Sequence, residues 1–325
     1  MTGSFRDPDG FVFLKDGVLY RQVNASYEAH YRRLMDSHLY EDLVSAGRLI
    51  GHREILGPSV LKPERIPFVS YPYEWSFSQL KDAALLTLEI QKKALEHGMS
   101  LKDASAYNVQ WIGSHPVFID TLSFEIYPEG RPWTAYRQFC QHFLAPLALM
   151  SFRDARLNGL LRVHLDGVPI DLASRLMPWK ALGHLDLMCH IGLHGKFKPG
   201  SSGGVAATPG PVKNKVGLSS LKGILQSLER AVHGLKWEAK TQWSGYYKNQ
   251  CPYSEKAMAH KKALVEQYLE AAKPKTVWDL GANDGLFSRV ATGKNAYTVA
   301  FELDPVCIET NYLRARAENT TPRGP

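Results

Sequence analysis

The chain has 325 residues, 44% hydrophobic and 22% charged, with 39 Lys and Arg against 32 Asp and Glu and a formal net charge of +7. Its longest apolar runs, such as Phe143 to Met150, are far too short to span a bilayer, and its four cysteines, at 140, 189, 251 and 307, have no paired spacing. A membrane-spanning chain, a disulfide framework and a cysteine zinc site are therefore excluded.

The N-terminal residues hold no apolar run of signal-peptide type, and the cysteines read as reduced thiols, so the expected location is cytoplasmic. The length predicts two domains. The excess of basic residues reads as a mildly basic solvated surface, and nucleic acid is not an expected partner.

In chain order, residues 10–25 predict a hairpin turning at Lys15-Asp16-Gly17. Residues 26–48 predict a helix stopped by Gly47, and residues 66–75 an extended aromatic stretch. A long helix to about His97 follows, with Ser78 as its cap and Gly98 at its end. Asn108–Ile112 and Pro116–Ile119 predict a second hairpin. Helical pattern dominates from Trp133 to about Leu161 and again around 170–195.

The composition changes at residues 196–218, where Gly, Pro, Ser and Lys predict a flexible linker. Helices are expected at 219–236 and 254–272. The last segment alternates: strand 276–280, helix 284–292, strand 297–302, helix 305–317. That order predicts a parallel sheet. The expected organisation is a module over 1–195, the linker, and a second unit over 219–325.

Two stretches carry chemistry. In the first module, Asp103 and Asn108 stand five apart and Asp120 follows the second hairpin. This pattern resembles the catalytic segment of protein kinases and kinase-like phosphotransferases. The resemblance implies a kinase-like α+β module in which Asp103 orients an acceptor hydroxyl and Asn108 and Asp120 hold Mg²⁺ of Mg-ATP. The departures are Leu101-Lys102 before the first Asp, Thr121-Leu122 after Asp120, no glycine-rich loop in the first hairpin, and Arg21 where a lysine is wanted.

The second stretch is Thr276 to Val290, where an apolar strand runs through glycines into a helix. Such a turn lets a ligand approach backbone N–H groups at a helix N-terminus. Its register fits neither the dinucleotide fingerprint nor a phosphate loop. Asp279-x-Gly281-x-Asn283-x-Gly285, with Glu302 closing the next strand, resembles the first motif of class I S-adenosylmethionine-dependent methyltransferases. The resemblance covers about residues 276–317. It implies an incomplete α/β Rossmann-like domain, with Asp279 near the methionine amino group, the glycines against the methionyl part and Glu302 at the ribose diol. Asp304 reads as a helix cap. The full family domain has more strands than are visible here, so the chain is expected to be a fragment of a longer protein, inactive by itself. The methyl acceptor is not legible.

His190 and His194 share a helical face and read as a packing pair. Trp243, Tyr246, Tyr247 and Tyr253 read as packing ahead of the cofactor segment, and the lysines of 210–265 as a solvated face. The function expected is methyl transfer from S-adenosylmethionine. Mg-ATP-dependent phosphotransfer and a non-catalytic binding module are the alternatives.

Overall fold

A computed structural model describes residues 7–192, 216–243 and 254–318. Asp16 and Gly17 both take positive φ, 51° and 76°, which closes a two-residue turn between β1 (Gly10–Lys15) and β2 (Val18–Val23). The expected helix over 26–48 is two, α1 (Glu28–Asp36) and α2 (Leu39–Ser45), because His38 between them has φ 60°. β3 (His52–Glu54) and β4 (Val60–Pro63) complete an antiparallel sheet in the order β1-β2-β4-β3, with Arg21 opposite Leu61 and His52 opposite Pro63.

The long helix is α3 (Phe77–Glu96). Ser76, not Ser78, caps it: its hydroxyl accepts from Gln79 N and the Gln79 side chain returns to Ser76 N at 3.0 Å. A glutamine three residues after a serine is the capping-box pattern, and Ser78 is left for another partner. Leu80, Ala84 and Leu88 are fully buried on one face. Gly98, at φ 70°, turns the chain into β5 (Met99–Leu101), which pairs antiparallel with β8 (Phe124–Ile126). Between them lies the hairpin of β6 (Val109–Ile112) and β7 (His115–Phe118).

The helical stretch from Trp133 is interrupted. α4 (Tyr136–Phe139) passes into a π turn, Cys140–Leu144, before α5 (Ala145–Phe152). Pro146 brings no N–H to the ladder, which favours the wider turn. α6 (Leu160–Val163), α7 (Ile170–Leu176) and α8 (Leu185–Leu187) are short. No helix among the described residues is long and apolar enough to cross a membrane.

His142 sits buried in the π turn, its ring edge-on to Tyr107. Burial pulls its imidazole down to about 4, against a weaker opposing pull from Asp166. A histidine whose folded value is depressed stabilises the fold fully above its unfolded value, and that contribution is lost as pH falls from 6.5 toward 4. The gap corresponds to about 3 kcal/mol. His52, also pulled to about 4 by burial, adds in the same direction. Chemical denaturation from pH 7 to 4 should therefore show a steep loss of stability that His142→Gln roughly halves; an unchanged slope would remove His142 from the account.

α9 (Leu218–Gly234) packs on α3, and Leu221, Leu225, Leu228 and Val232 join the core built by α3, β5 and α5. The sequence reading groups this helix with the C-terminal unit; its apolar stripe lies in the first. α10 (Glu255–Ala272) leads into β9 (Thr276–Leu280), α11 (Leu286–Gly293), β10 (Tyr297–Phe301) and α12 (Pro305–Ala317). β9 and β10 pair in parallel, with Trp278 opposite Val299. Among the described residues this sheet has two strands, and Trp278 and Leu280 are 61% and 74% exposed.

The two units are joined by specific contacts. The Phe68 ring meets Trp278 and Phe301 edge-on. The Tyr312 hydroxyl donates to buried Asp82 at 2.6 Å, Arg316 pairs with the same carboxylate, and Glu309 accepts from the Ser78 N–H at 3.0 Å and from its hydroxyl.

Candidate functional site

The turn after β9 holds three left-handed residues: Gly281 at φ 77°, Asn283 at 50° and Gly285 at 79°. Asparagine tolerates this region better than most side chains. At Gly281 an added Cβ would meet nothing within 4 Å, so only the backbone angle demands glycine there; at Gly285 it would lie 2.0 Å from Asn311 Oδ1. The close approach of α12 to the turn thus depends on Gly285.

The turn is tied to the end of β10. Gly281 and Ala282 donate their N–H groups to the Phe301 carbonyl at 2.9 and 3.0 Å, and Asn283 N donates to Glu302 at 2.7 Å. The other Glu302 oxygen accepts from the Leu303 and Asp304 N–H groups at 2.7 and 3.0 Å. Glu302 therefore fixes the turn with its carboxylate. A carboxylate offers about four acceptor positions, so one remains for a ligand hydroxyl. Asp279 accepts from Ser288 at 2.6 Å, which anchors α11 to the strand. Asp304 caps α12 at Val306 and Cys307. Asp284 pairs with Arg314 at 2.6 Å. The Asn283 side chain donates to the Trp243 carbonyl at 3.3 Å, which brings the segment before α10 onto the turn. Tyr246, Tyr247 and Tyr253 lie outside the described residues.

Asp103, Asn108 and Asp120 come together at the other end of the first unit. Asp103 accepts from Ser105 N at 2.9 Å and from Gln138 at 2.8 Å. Burial raises its carboxyl above the ordinary value and the nearby Asp120 charge adds to this, while bonds from Ser105, Gln138 and Asn108 pull the other way. Asn108 donates to Ser123 at 3.1 Å, and Ser123 donates to Asp120 at 2.5 Å. The second Asp120 oxygen is held by Arg21 of β2 at 2.6 Å. Lys102 pairs with Asp9 and lies over the Tyr27 ring. A guanidinium thus stands where a cation would be expected, and among the described residues no group of three or more His, Cys, Asp or Glu is arranged to hold a metal ion.

No protein-family model matches the chain. Over 328 residues it is 33% identical to the nodulation protein NoeA of Rhizobium meliloti (strain 1021), a match that takes in 97% of this chain and 68% of that protein. The chain belongs to the NoeA family.

One further constellation in this NoeA-family chain escapes sequence reasoning. His190 bonds through Nδ1 to the Tyr136 hydroxyl at 2.7 Å and through Nε2 to Ser227 at 2.9 Å. Ser227 donates to Asp186 at 2.7 Å, and Arg230 pairs with Asp186 at 3.0 Å. Because the serine gives its proton to Asp186, Nε2 must be the donor toward it. His190 is then no base for that serine, and the chain of bonds ties α9 to α4 and α8. His194 lies outside the described residues. The sequence signal for this arrangement was weak, since its members come from three separate segments.

Proposed function

We propose that the Gly281–Gly285 turn and Glu302 of this NoeA-family chain form part of an S-adenosylmethionine site that serves methyl transfer, and that the protein serves the process for which NoeA is named, nodulation. The observation that carries this reading is the bond from Asn283 N to Glu302: it joins the glycine turn after the first strand to the acid closing the second. The sulfonium already activates the methyl group, so the residues would contribute positioning. Asp279 would hold the methionine end through the α11 N-terminal turn. The cytoplasmic location and the Rossmann-like nature of the second unit belong to the same proposal.

The test is calorimetry. Glu302→Ala should weaken S-adenosylmethionine binding by roughly 1–3 kcal/mol, and NAD should not bind. Unchanged affinity in that variant would take Glu302 out of the site.

The meeting of Asp103, Asn108 and Asp120 supports a second reading, Mg-ATP-dependent phosphotransfer on a kinase-like first unit. It takes second place because Arg21 occupies Asp120. If it holds, millimolar Mg-ATP raises the melting temperature and Asp120→Asn abolishes the shift; no shift in the parent chain would discard it.

A further inference from the structure

α12 runs between the glycine turn and the first unit, and its polar side chains fall into two stripes. Glu309, Tyr312 and Arg316 reach the first unit. Glu309 accepts from the Ser78 N–H at 3.0 Å and from its hydroxyl, Tyr312 donates to Asp82 at 2.6 Å, and Arg316 pairs with the same Asp82. Asn311, Arg314 and Glu318 reach the turn and the helix it opens. The Asn311 side chain covers Gly285, Arg314 pairs with Asp284 at 2.6 Å, and Glu318 pairs with Arg289 at 3.3 Å. Each stripe steps by three and then four residues, and the two are offset by two. At 3.6 residues per turn that offset sets them about 160° apart, on nearly opposite sides of the helix.

Both grips are tight. Glu309, Tyr312 and Asp82 are buried, so α12 cannot slide along the first unit without leaving a buried polar group unpaired. On the other side, Gly285 leaves no room for a Cβ against Asn311, so a shift of α12 reaches the turn directly. β10 holds the first half of the turn, Gly281 to Asn283, whereas Asp284 and Gly285 meet α12. That second half is incompletely satisfied by its own contacts. Arg289 reaches the Asp284 carbonyl at 2.8 Å through Nη1, but its Nη2 and Asp284 Oδ1 are buried without a partner among the described residues. The contact of Phe68 with Trp278 and Phe301 also joins the units, but it touches the strands and not the turn.

We infer that α12 links ligand binding at the Gly281–Gly285 turn to the docking of the first unit, with Asn311 and Arg314 as positioning residues for the turn. Docking seats α12, and α12 sets the second half of the turn. Such coupling is reciprocal, so a ligand on the turn tightens the docking in return. As a control on cofactor affinity, the link rests on the methyl-transfer reading; as a control on the backbone of the turn, it does not.

Ser78→Ala and Tyr312→Phe each delete one hydroxyl on the first-unit side of α12 and leave the turn untouched. Hydrogen exchange on the whole chain, without ligand, reads the consequence amide by amide. In both variants the amides of Gly285 and of α12 should exchange about fivefold faster, the factor that one net hydrogen bond supplies, while α10, which packs on α11, keeps its parental rate. Unchanged exchange at Gly285 would overturn the inference, because α12 would then not carry the interface to the turn. An equal rise in α10 would overturn it too, because the whole unit would then simply loosen. The second arm is calorimetry with S-adenosylmethionine. Affinity should fall about fivefold in Tyr312→Phe, by the same reasoning, and further in Arg314→Ala, with Arg314→Lys recovering most of the loss because it keeps a charged donor for Asp284. A parental chain that takes no S-adenosylmethionine yet shows the faster exchange in the variants would leave the link standing and remove the methyl-transfer reading. Parental affinity in Tyr312→Phe together with unchanged exchange would do the opposite.

Discussion

Gly285→Ala should destabilise the C-terminal unit by about 3 kcal/mol and abolish cofactor binding. Two penalties combine. An alanine at φ 79° costs about 1–2 kcal/mol in backbone strain. Its Cβ would also stand 2.0 Å from Asn311 Oδ1 and 2.4 Å from Cγ, so α12 or the Asn311 side chain must give way, an overpacking cost of about 1–3 kcal/mol. Gly281→Ala is the control, because its φ is nearly the same, 77°, and its Cβ would enter open space. It should lose only the strain. Asn311→Ala combined with Gly285→Ala should recover the overpacking part, since contacting residues couple. Equal losses at the two glycines, measured by thermal unfolding, would show that the approach of Asn311 contributes nothing.

Asp82→Ala should uncouple the two units. Asp82 is 8% exposed and receives both the Tyr312 hydroxyl and Arg316. Its loss leaves the hydroxyl of a tyrosine packed edge-on against Trp111 with only the weaker bond to the Ser114 carbonyl at 3.4 Å. Removing one partner of a fully buried pair costs about 3–5 kcal/mol. Here roughly 2–3 kcal/mol is expected, because Arg316 is half exposed and can turn to water. Unfolding should split into two transitions, and protease should cut the C-terminal unit while the first unit resists. Tyr312→Phe, which keeps the ring and drops the hydroxyl, should show a smaller effect in the same direction. A single transition at the parental temperature in Asp82→Ala would mean that other contacts hold the units together.

Elements governed by neighbours in sequence were legible. Asp16-Gly17 marked the first hairpin and Gly98 the end of the long helix, because both places demand a positive φ. The β-α-β-α order near the C-terminus followed from the same kind of local pattern. Features set by distant partners were not legible. Ser76 and Ser78 are equivalent caps on paper; Gln79 selects the first, and Glu309, far along the chain, occupies the second. The glycine-rich composition before Leu218 suggested a unit boundary, yet the apolar stripe of α9 finds its partner on α3.

The candidate site divides in the same way. The glycine turn was readable as a turn. The engagement of the Glu302 carboxylate by three backbone N–H groups was not, since a strand-end acid is silent about what it accepts. Arg21 stood out only as a missing lysine, and its bond to Asp120 depends on how β2 meets the loop after β7. The division of α12 between the turn and the first unit depends on the docking of the two units and had no local signal at all.

The most direct test of the methyl-transfer account is photo-crosslinking of labelled S-adenosylmethionine to the purified chain, followed by peptide mapping. The account predicts label on peptides spanning residues 276–303, reduced in Glu302→Ala and absent in Gly285→Ala. No label, label elsewhere on the chain, or label on that segment untouched by either substitution would contradict it.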